Sequence, residues 1–221
     1  MHQHEHTKTH EELGDVYEKV PATYWDDSYK NNRLQKLYYD IRFKIINDLL
    51  ADVPEQGSVL DVGCASGFSI DHYAKARPDV SYAGADVAPH HIEYAQKERP
   101  QHTFKTGPAE ALPYEDNTFD SVTMLDVIEH VVDVDACLAE MKRVLKPGGT
   151  AIIFVVEEHN PLFQVIWWIW LKTKGKVWEE AHLREYTKES LAADVKKVGF
   201  TVEDERRSHG TMGLAIKARK Q

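Results

Sequence analysis

Val59 to Ser69 reads VLDVGCASGFS, and this stretch decides the fold. Val59, Leu60 and Val62 form the short apolar run of a buried strand, interrupted only by Asp61. Gly63 and Gly67 then mark a turn, and a helical pattern opens at about Ser66 and runs to Ala76. Ligands of open α/β sheets collect at the carboxyl ends of the strands, where glycine lets the backbone approach them closely. The spacing narrows the choice of ligand. Gly63 and Gly67 are four apart with Ala65 between them, which is not the G-x-G-x-x-G of a dinucleotide loop. No Gly-Lys-Ser/Thr follows, so a triphosphate is not the expected ligand either.

Strand and helix patterns alternate outward from this loop. Upstream, Leu34, Leu37, Tyr38, Ile41, Ile45 and Leu49 recur at helical spacing and predict one amphipathic helix from Tyr29 to Leu50, ended near Pro54 and Gly57. Downstream, VSYAGAD reads as a strand, His90 to Glu98 as a helix, and HTFKT and FDSVTML as two further strands. Val134 to Leu145 reads as a helix closed by Pro147, Gly148 and Gly149, and TAIIFVV as a strand buried on both faces. Lys188 to Val198 is helical again, and FTVEDERR and TMGLAIKARK read as two strands paired antiparallel at the sheet edge. This alternation predicts an α/β fold, a mostly parallel sheet with helices on both faces. Residues 29–221 form one domain, with a cofactor half at 58–157 and an apolar cover at 158–190. Residues 1–28 read as a flexible extension whose His2, His4, His6 and His10 are either a solvated tail or a metal-binding tract.

Composition removes several functions. The 221 residues carry 36 acidic and 27 basic side chains, a formal net charge of −9, which disfavours nucleic acid as a partner. The acidic excess lies in the first 139 residues, with 25 acidic to 12 basic, whereas the remainder has 11 acidic to 15 basic. Cys64 and Cys137 are the only cysteines, too few for a disulfide scaffold or a cysteine-based zinc site. Met1 to His10 has no apolar core of a signal peptide, and Val165 to Leu171 is far shorter than the roughly 20 residues that span a bilayer. A cytoplasmic protein is the expectation.

VLDVGCASG resembles the first motif of the class I S-adenosylmethionine-dependent methyltransferases, and three later segments continue the resemblance in order. In AGADVAP, Asp86 follows Asp61 by 25 residues; a carboxylate there can accept both ribose hydroxyls of an adenosine. The alternative is a helix N-terminal acid before Pro89. TGPAEALPYEDNTFDSV is similar to the family's adenine loop, although Pro108 stands where an aspartate usually accepts the adenine amino group. That leaves Glu110 or the Ala109 amide for the contact. FDSVTMLDVIEHVVDVDACLAEMKRVLKPGGTAIIFVV is similar to the fourth strand, its helix and the turn before the fifth strand. The resemblance covers residues 58–157 closely and implies a Rossmann-like sheet of seven strands with an antiparallel last strand. It also implies S-adenosylmethionine as cofactor and S-adenosylhomocysteine as product. Cofactor contacts fall on Asp61, Gly63, Cys64, Gly67, Asp86, Val87, Ala109, Glu110 and Leu125. Tyr24, Trp25 and Arg42 would close over the cofactor, Arg42 pairing with its carboxylate, or else form a lid without direct contact.

The acceptor is read from what is missing and what is unusual. LDVIEH at the end of the fourth strand is not the [DN]-P-P-[YF] of DNA amino methyltransferases, and neither cysteine follows a proline as in cytosine C5 enzymes. A small molecule is therefore expected. Asp126, Glu129 and His130 resemble the E-x-x-E-H of demethylubiquinone O-methyltransferases, in which acids and histidine hold a divalent metal. A polar helix cap with a packed histidine is the alternative. His130 is the leading candidate base, with Asp126 beside it. From Leu162 to Leu171 only Gln164 is polar, so this segment is core, a dimer contact, the wall of a lipophilic acceptor site, or a membrane-surface contact extending over 162–178. Trp167, Trp168, His182, Arg184 and Tyr186 are the acceptor-side candidates. The expected function is methyl transfer to oxygen or carbon of a small apolar, quinone- or lipid-like acceptor. A polar metabolite, a protein side chain, or cofactor binding without catalysis are the alternatives.

Overall fold

In the computed structural model the described residues are Gly14, 16–157 and 183–221. Two helices come first, α1 (Tyr24–Asn31) and α2 (Arg33–Leu49). The sheet and its helices follow as β1 (Ser58–Val62), α3 (Phe68–Ala76), β2 (Ser81–Asp86), α4 (Pro89–Glu98), β3 (Thr103–Thr106), β4 (Phe119–Leu125), α5 (Val134–Val144), β5 (Leu145–Val156), α6 (Lys188–Lys197), β6 (Phe200–Ser208) and β7 (Gly213–Lys220).

The seven strands lie in the order β3-β2-β1-β4-β5-β7-β6. The first five are parallel, and β7 runs antiparallel to both β5 and β6. The expected sheet is therefore present, with one refinement. β7 is an interior strand rather than an edge, and the edge is β6, whose alternating exposed side chains suit a strand with one wet face. Strand order reverses between β1 and β4, which places a binding crevice at their carboxyl ends.

Alternation along the buried strands divides the core between the two faces. Val59, Ile152 and Phe154 pack with α2, α3 and α4 through Phe43, Ile46, Ile70, Tyr73 and Ile92. Leu60, Ile153 and Val155 pack with α5 and α6 through Leu138, Met141, Leu191 and Val195.

Three expected boundaries move. The single helix from Tyr29 divides at Asn32, whose extended backbone and side-chain oxygen, accepting from Leu34 N and Gln35 N, make it the N-cap of α2. Pro147, Gly148 and Gly149 lie within β5, where the register with β4 shifts between Phe119 and Ser121. Residues 16–28 belong to the folded body: Val16 and Val20 are buried and α1 begins at Tyr24, so the flexible extension cannot reach residue 28. The four N-terminal histidines lie outside the described residues.

The apolar stripe of α2 is also reassigned. Tyr39, Arg42, Phe43, Ile46 and Leu49 face inward, while Leu34 and Leu37 are 79% and 57% exposed.

Candidate functional site

A cavity of about 590 Å³ opens at the carboxyl ends of β1, β2 and β4, beneath the N-terminal residues. Its floor is the turn after β1. Gly63 and Gly67 both adopt left-handed backbone, φ +70 and +76, where glycine carries no steric penalty. A Cβ on Gly63 would overlap Val127, and one on Gly67 would come within 2.8 Å of the Phe104 ring. The glycines thus let the turn sit close against β4 on one side and β3 on the other. Gly63 N and Cys64 N both donate to Ala85 O, at 2.8 and 3.0 Å, pinning the turn to β2.

Asp86 ends β2 and faces the cavity with its side chain 12% exposed. Oδ2 accepts from Ala65 N at 2.8 Å and Oδ1 from Ala88 N at 2.9 Å. The second acceptance closes a local turn onto Ala88, the residue before α4, whose start has no side-chain cap. The first ties the carboxylate to the glycine turn. Each oxygen keeps a further lone pair, so the same group can still receive two hydroxyls.

Asp61 lies deeper, 3% exposed, with Thr123 Oγ1 donating to it at 2.6 Å. Burial pushes its carboxyl up to about 7, while the Thr123 hydroxyl and the Arg42 guanidinium pull it down and Asp86 raises it. Arg42 reaches the cavity from α2, forms an ion pair with Asp126, and lies over the Tyr39 and Phe43 rings, with its Cζ 4.9 and 5.3 Å from their centroids. Asp126 has a positive φ of 53°, a conformation that L-residues other than Asn and Asp rarely adopt. It is fixed there by its amide, which donates to Phe154 O at 2.9 Å.

Beyond Asp126, a 3₁₀ turn over Ile128–His130 puts Glu129 and His130 in the cavity wall. The Tyr17 ring meets His130 edge to face with centroids 6.2 Å apart. Burial raises the Tyr17 hydroxyl well above the usual phenol range, reinforced by Asp86, Glu129 and Glu110, so it stays protonated and can donate. Gly107 N donates to Asp86 O at 3.0 Å, carrying Ala109 and Glu110 to the cavity rim. Glu110 Oε1 accepts from Val132 N at 3.0 Å and so braces the loop after His130.

Thus Asp61, Gly63, Cys64, Asp86, Val87, Ala109, Glu110, Leu125 and Arg42 meet around one cavity, together with Asp126, Glu129 and His130. Gly67 is not in its wall and serves the turn from behind. Of the acceptor-side candidates, Arg184 donates to Val131 O at 2.7 Å and Val132 O at 3.3 Å, and Tyr186 is buried in the core; neither is among the described residues that line the cavity. Trp167, Trp168 and His182 lie outside the described residues. Among the described residues no three His, Cys, Asp or Glu side chains converge as a metal-ligand set, and Asp126 is committed to Arg42. Asn32, Leu34, Gln35 and Tyr38 at the start of α2, and Val156 at the end of β5, also line the cavity. Residue type alone gave no sign of this.

Comparison with known proteins agrees with the geometry. Residues 60–153 match the model of a methyltransferase domain family. A demethylmenaquinone methyltransferase of Renibacterium salmoninarum is 38% identical over 120 residues, covering 54% of this chain and 48% of that protein. A ubiquinone biosynthesis O-methyltransferase of Cereibacter sphaeroides is 30% identical over 160 residues, covering 66% of this chain and 64% of that one. The chain thus spans about half to two thirds of the length of these relatives. The crystal structure of an S-adenosylmethionine-dependent methyltransferase from Thermotoga maritima superposes with a TM-score of 0.67 at 20% identity, over 95% of this chain and all of that one, and supports the fold.

Proposed function

We propose that this chain is a class I S-adenosylmethionine-dependent methyltransferase, and that it methylates oxygen or carbon of a small lipophilic, quinone-like acceptor. The observation that carries the reading is the continuity of the cavity. It runs from Asp86 and the glycine turn, past Arg42 and Asp126, to the apolar start of α2 at Leu34 and Tyr38.

The residues fit the cofactor. Asp86 is placed to receive the ribose hydroxyls, the Ala109 amide and Glu110 border the adenine end, and Arg42 and Asp61 offer opposite charges toward the amino-acid end. The glycine turn lines the cavity beside Val127, where any Cβ at Gly63 would overlap that side chain and push the turn out of place. When bound, S-adenosylmethionine supplies a methyl group on a positive sulfonium, open to direct displacement by a nucleophile.

The chain's own residues have three tasks. Tyr17, Tyr24 and Trp25 cover the cavity and exclude water, which strengthens every charge interaction inside it and keeps reactants aligned. The Arg42–Asp126 pair fixes the wall between the cofactor and acceptor ends. His130 takes the acceptor proton at a ring nitrogen where the acceptor is a hydroxyl.

Two features support an apolar acceptor. Leu34, Leu37 and Ile41 continue outward from the cavity as an exposed stripe on α2, a path for a lipophilic tail or a contact with a lipid surface. Both curated relatives carry quinone-pathway names. No helix among the described residues is long and apolar enough to cross a membrane.

The test is incubation with methyl-labelled S-adenosylmethionine and a cell extract, then partition between organic and aqueous phases. Label in the organic phase is expected. Label wholly in water would reject the lipophilic acceptor, and no transfer to any fraction would favour a non-catalytic binder.

A further inference from the structure

Arg99 follows α4, 4% exposed, and its guanidinium donates in three directions. Nε reaches Asp71 Oδ2 of α3 at 2.8 Å, Nη1 reaches the Ser66 carbonyl of the glycine turn at 2.8 Å, and Nη2 reaches Asp26 Oδ1 of α1 at 2.7 Å. The other oxygen of Asp26 accepts from Ser66 Oγ at 3.0 Å. Asp26 is therefore bound twice, once to the arginine that braces the turn and once to the turn itself.

A second anchor lies six residues earlier. The Val20 carbonyl accepts Nε2–H from both His90 and His91 at the start of α4, at 3.0 and 3.1 Å. Tyr24 and Trp25, which line the cavity, lie between these anchors, and Trp25 packs edge-on against His91 with centroids 5.2 Å apart. Tyr17 lies just before the Val20 anchor, against His130. The aromatic cover over the cavity is thus held on one side by two histidine–carbonyl hydrogen bonds and on the other by a buried ion pair.

We propose that Asp26 and Arg99 are positioning residues that set the rate of cofactor exchange. Their ion pair latches the cover to the cofactor turn, and it must part before S-adenosylhomocysteine leaves. The proposal rests on reading the cavity as the S-adenosyl site. Two of the three Arg99 contacts lie within the body, on α3 and the turn, and only the Asp26 contact joins the body to the cover. Asp26→Asn therefore loosens the cover and leaves Arg99 held by Asp71 and Ser66. A mere structural staple would lower the unfolding midpoint without changing ligand kinetics.

The experiment uses the full chain and labelled S-adenosylhomocysteine, chased with excess unlabelled ligand and followed by rapid filtration. Asp26→Asn should release the ligand about tenfold faster, the worth of one charge-assisted hydrogen bond, with a smaller change in association. In the wild type, hydrogen exchange of amides 16–31 should slow when the ligand is bound, and this measurement decides the matter if the variant fails to fold. Equal release rates in variant and wild type, or exchange over 16–31 indifferent to ligand, would overturn the latch. A wild-type chain that binds no S-adenosylhomocysteine would instead overturn the S-adenosyl reading itself.

Discussion

The Ala65 amide donates to Asp86 Oδ2 at 2.8 Å, so the carboxylate that ends β2 also fixes the turn that follows β1. Ala65 has a positive φ of 46° and is held there by this bond and by the neighbouring contacts to Ala85. Binding and turn geometry are therefore linked through one side chain. Asp86→Ala removes the ribose acceptor and the brace together. Its affinity for S-adenosylhomocysteine by calorimetry should fall by about 100-fold or more, the worth of two charge-assisted hydrogen bonds. Asp86→Asn keeps one acceptor and should lose less. Equal affinity in the alanine variant would remove Asp86 from the cofactor site.

Gly63 tests whether the turn tolerates a side chain. Two separate penalties meet there: a φ of +70°, and overlap of any Cβ with Val127. Gly63→Ala should cost roughly 1–3 kcal/mol in urea unfolding and weaken ligand binding. Adding Val127→Ala restores space but not the backbone preference, so it should recover only part of the loss. An unfolding midpoint equal to wild type in the single variant would contradict the close packing of turn against β4.

The cofactor half was legible in the sequence because backbone constraint and chemistry coincide there. A turn that must cross over β4 needs Gly63, and a carboxylate at the end of β2 must be Asp86 or its like. The cover was less legible. Asp26 and Arg99 are 73 residues apart and neither sits in a periodic pattern, so only the folded chain brings them together. The bracing role of Arg184 was not legible either, because a polar-aromatic cluster looks the same in sequence whether it faces a ligand or braces a loop. On α2 the apolar periodicity was real but ambiguous in phase. Tyr39, Arg42, Phe43 and Ile46 form the inward face, and an arginine among them hides that face from any count of apolar residues.

That outward stripe makes its own prediction. Leu34 and Leu37 are 79% and 57% exposed, so replacing both with glutamate buries no charge and should shift unfolding by no more than about 0.5 kcal/mol per site. S-adenosylhomocysteine affinity should stay within about twofold of wild type, since Asp86 and the turn are untouched. Transfer of label to organic-phase acceptors should fall by about tenfold or more if a lipophilic tail lies along the stripe. Full transfer by the double variant would reject α2 as the acceptor path.

Asp61 ties the site to pH. Burial holds its carboxyl up at about 7, so in the ligand-free chain the folded state keeps a proton that the unfolded chain gives up near pH 4. Between those values the unfolded state binds fewer protons, and stability from this residue falls as pH rises toward 7, then stays level. Binding has the opposite sign. A cation in the cavity favours the ionised carboxylate, so affinity for S-adenosylmethionine should rise with pH up to about 7, by at most about tenfold per unit, and then level off. S-adenosylhomocysteine keeps the α-ammonium at the end that Asp61 faces and should show a rise of the same sign. Asp61→Asn keeps an oxygen for the Thr123 hydroxyl and removes the titration, so both slopes should flatten. Calorimetry and urea unfolding across this range check all three curves, and a slope that persists unchanged in Asp61→Asn would assign the linkage to another group.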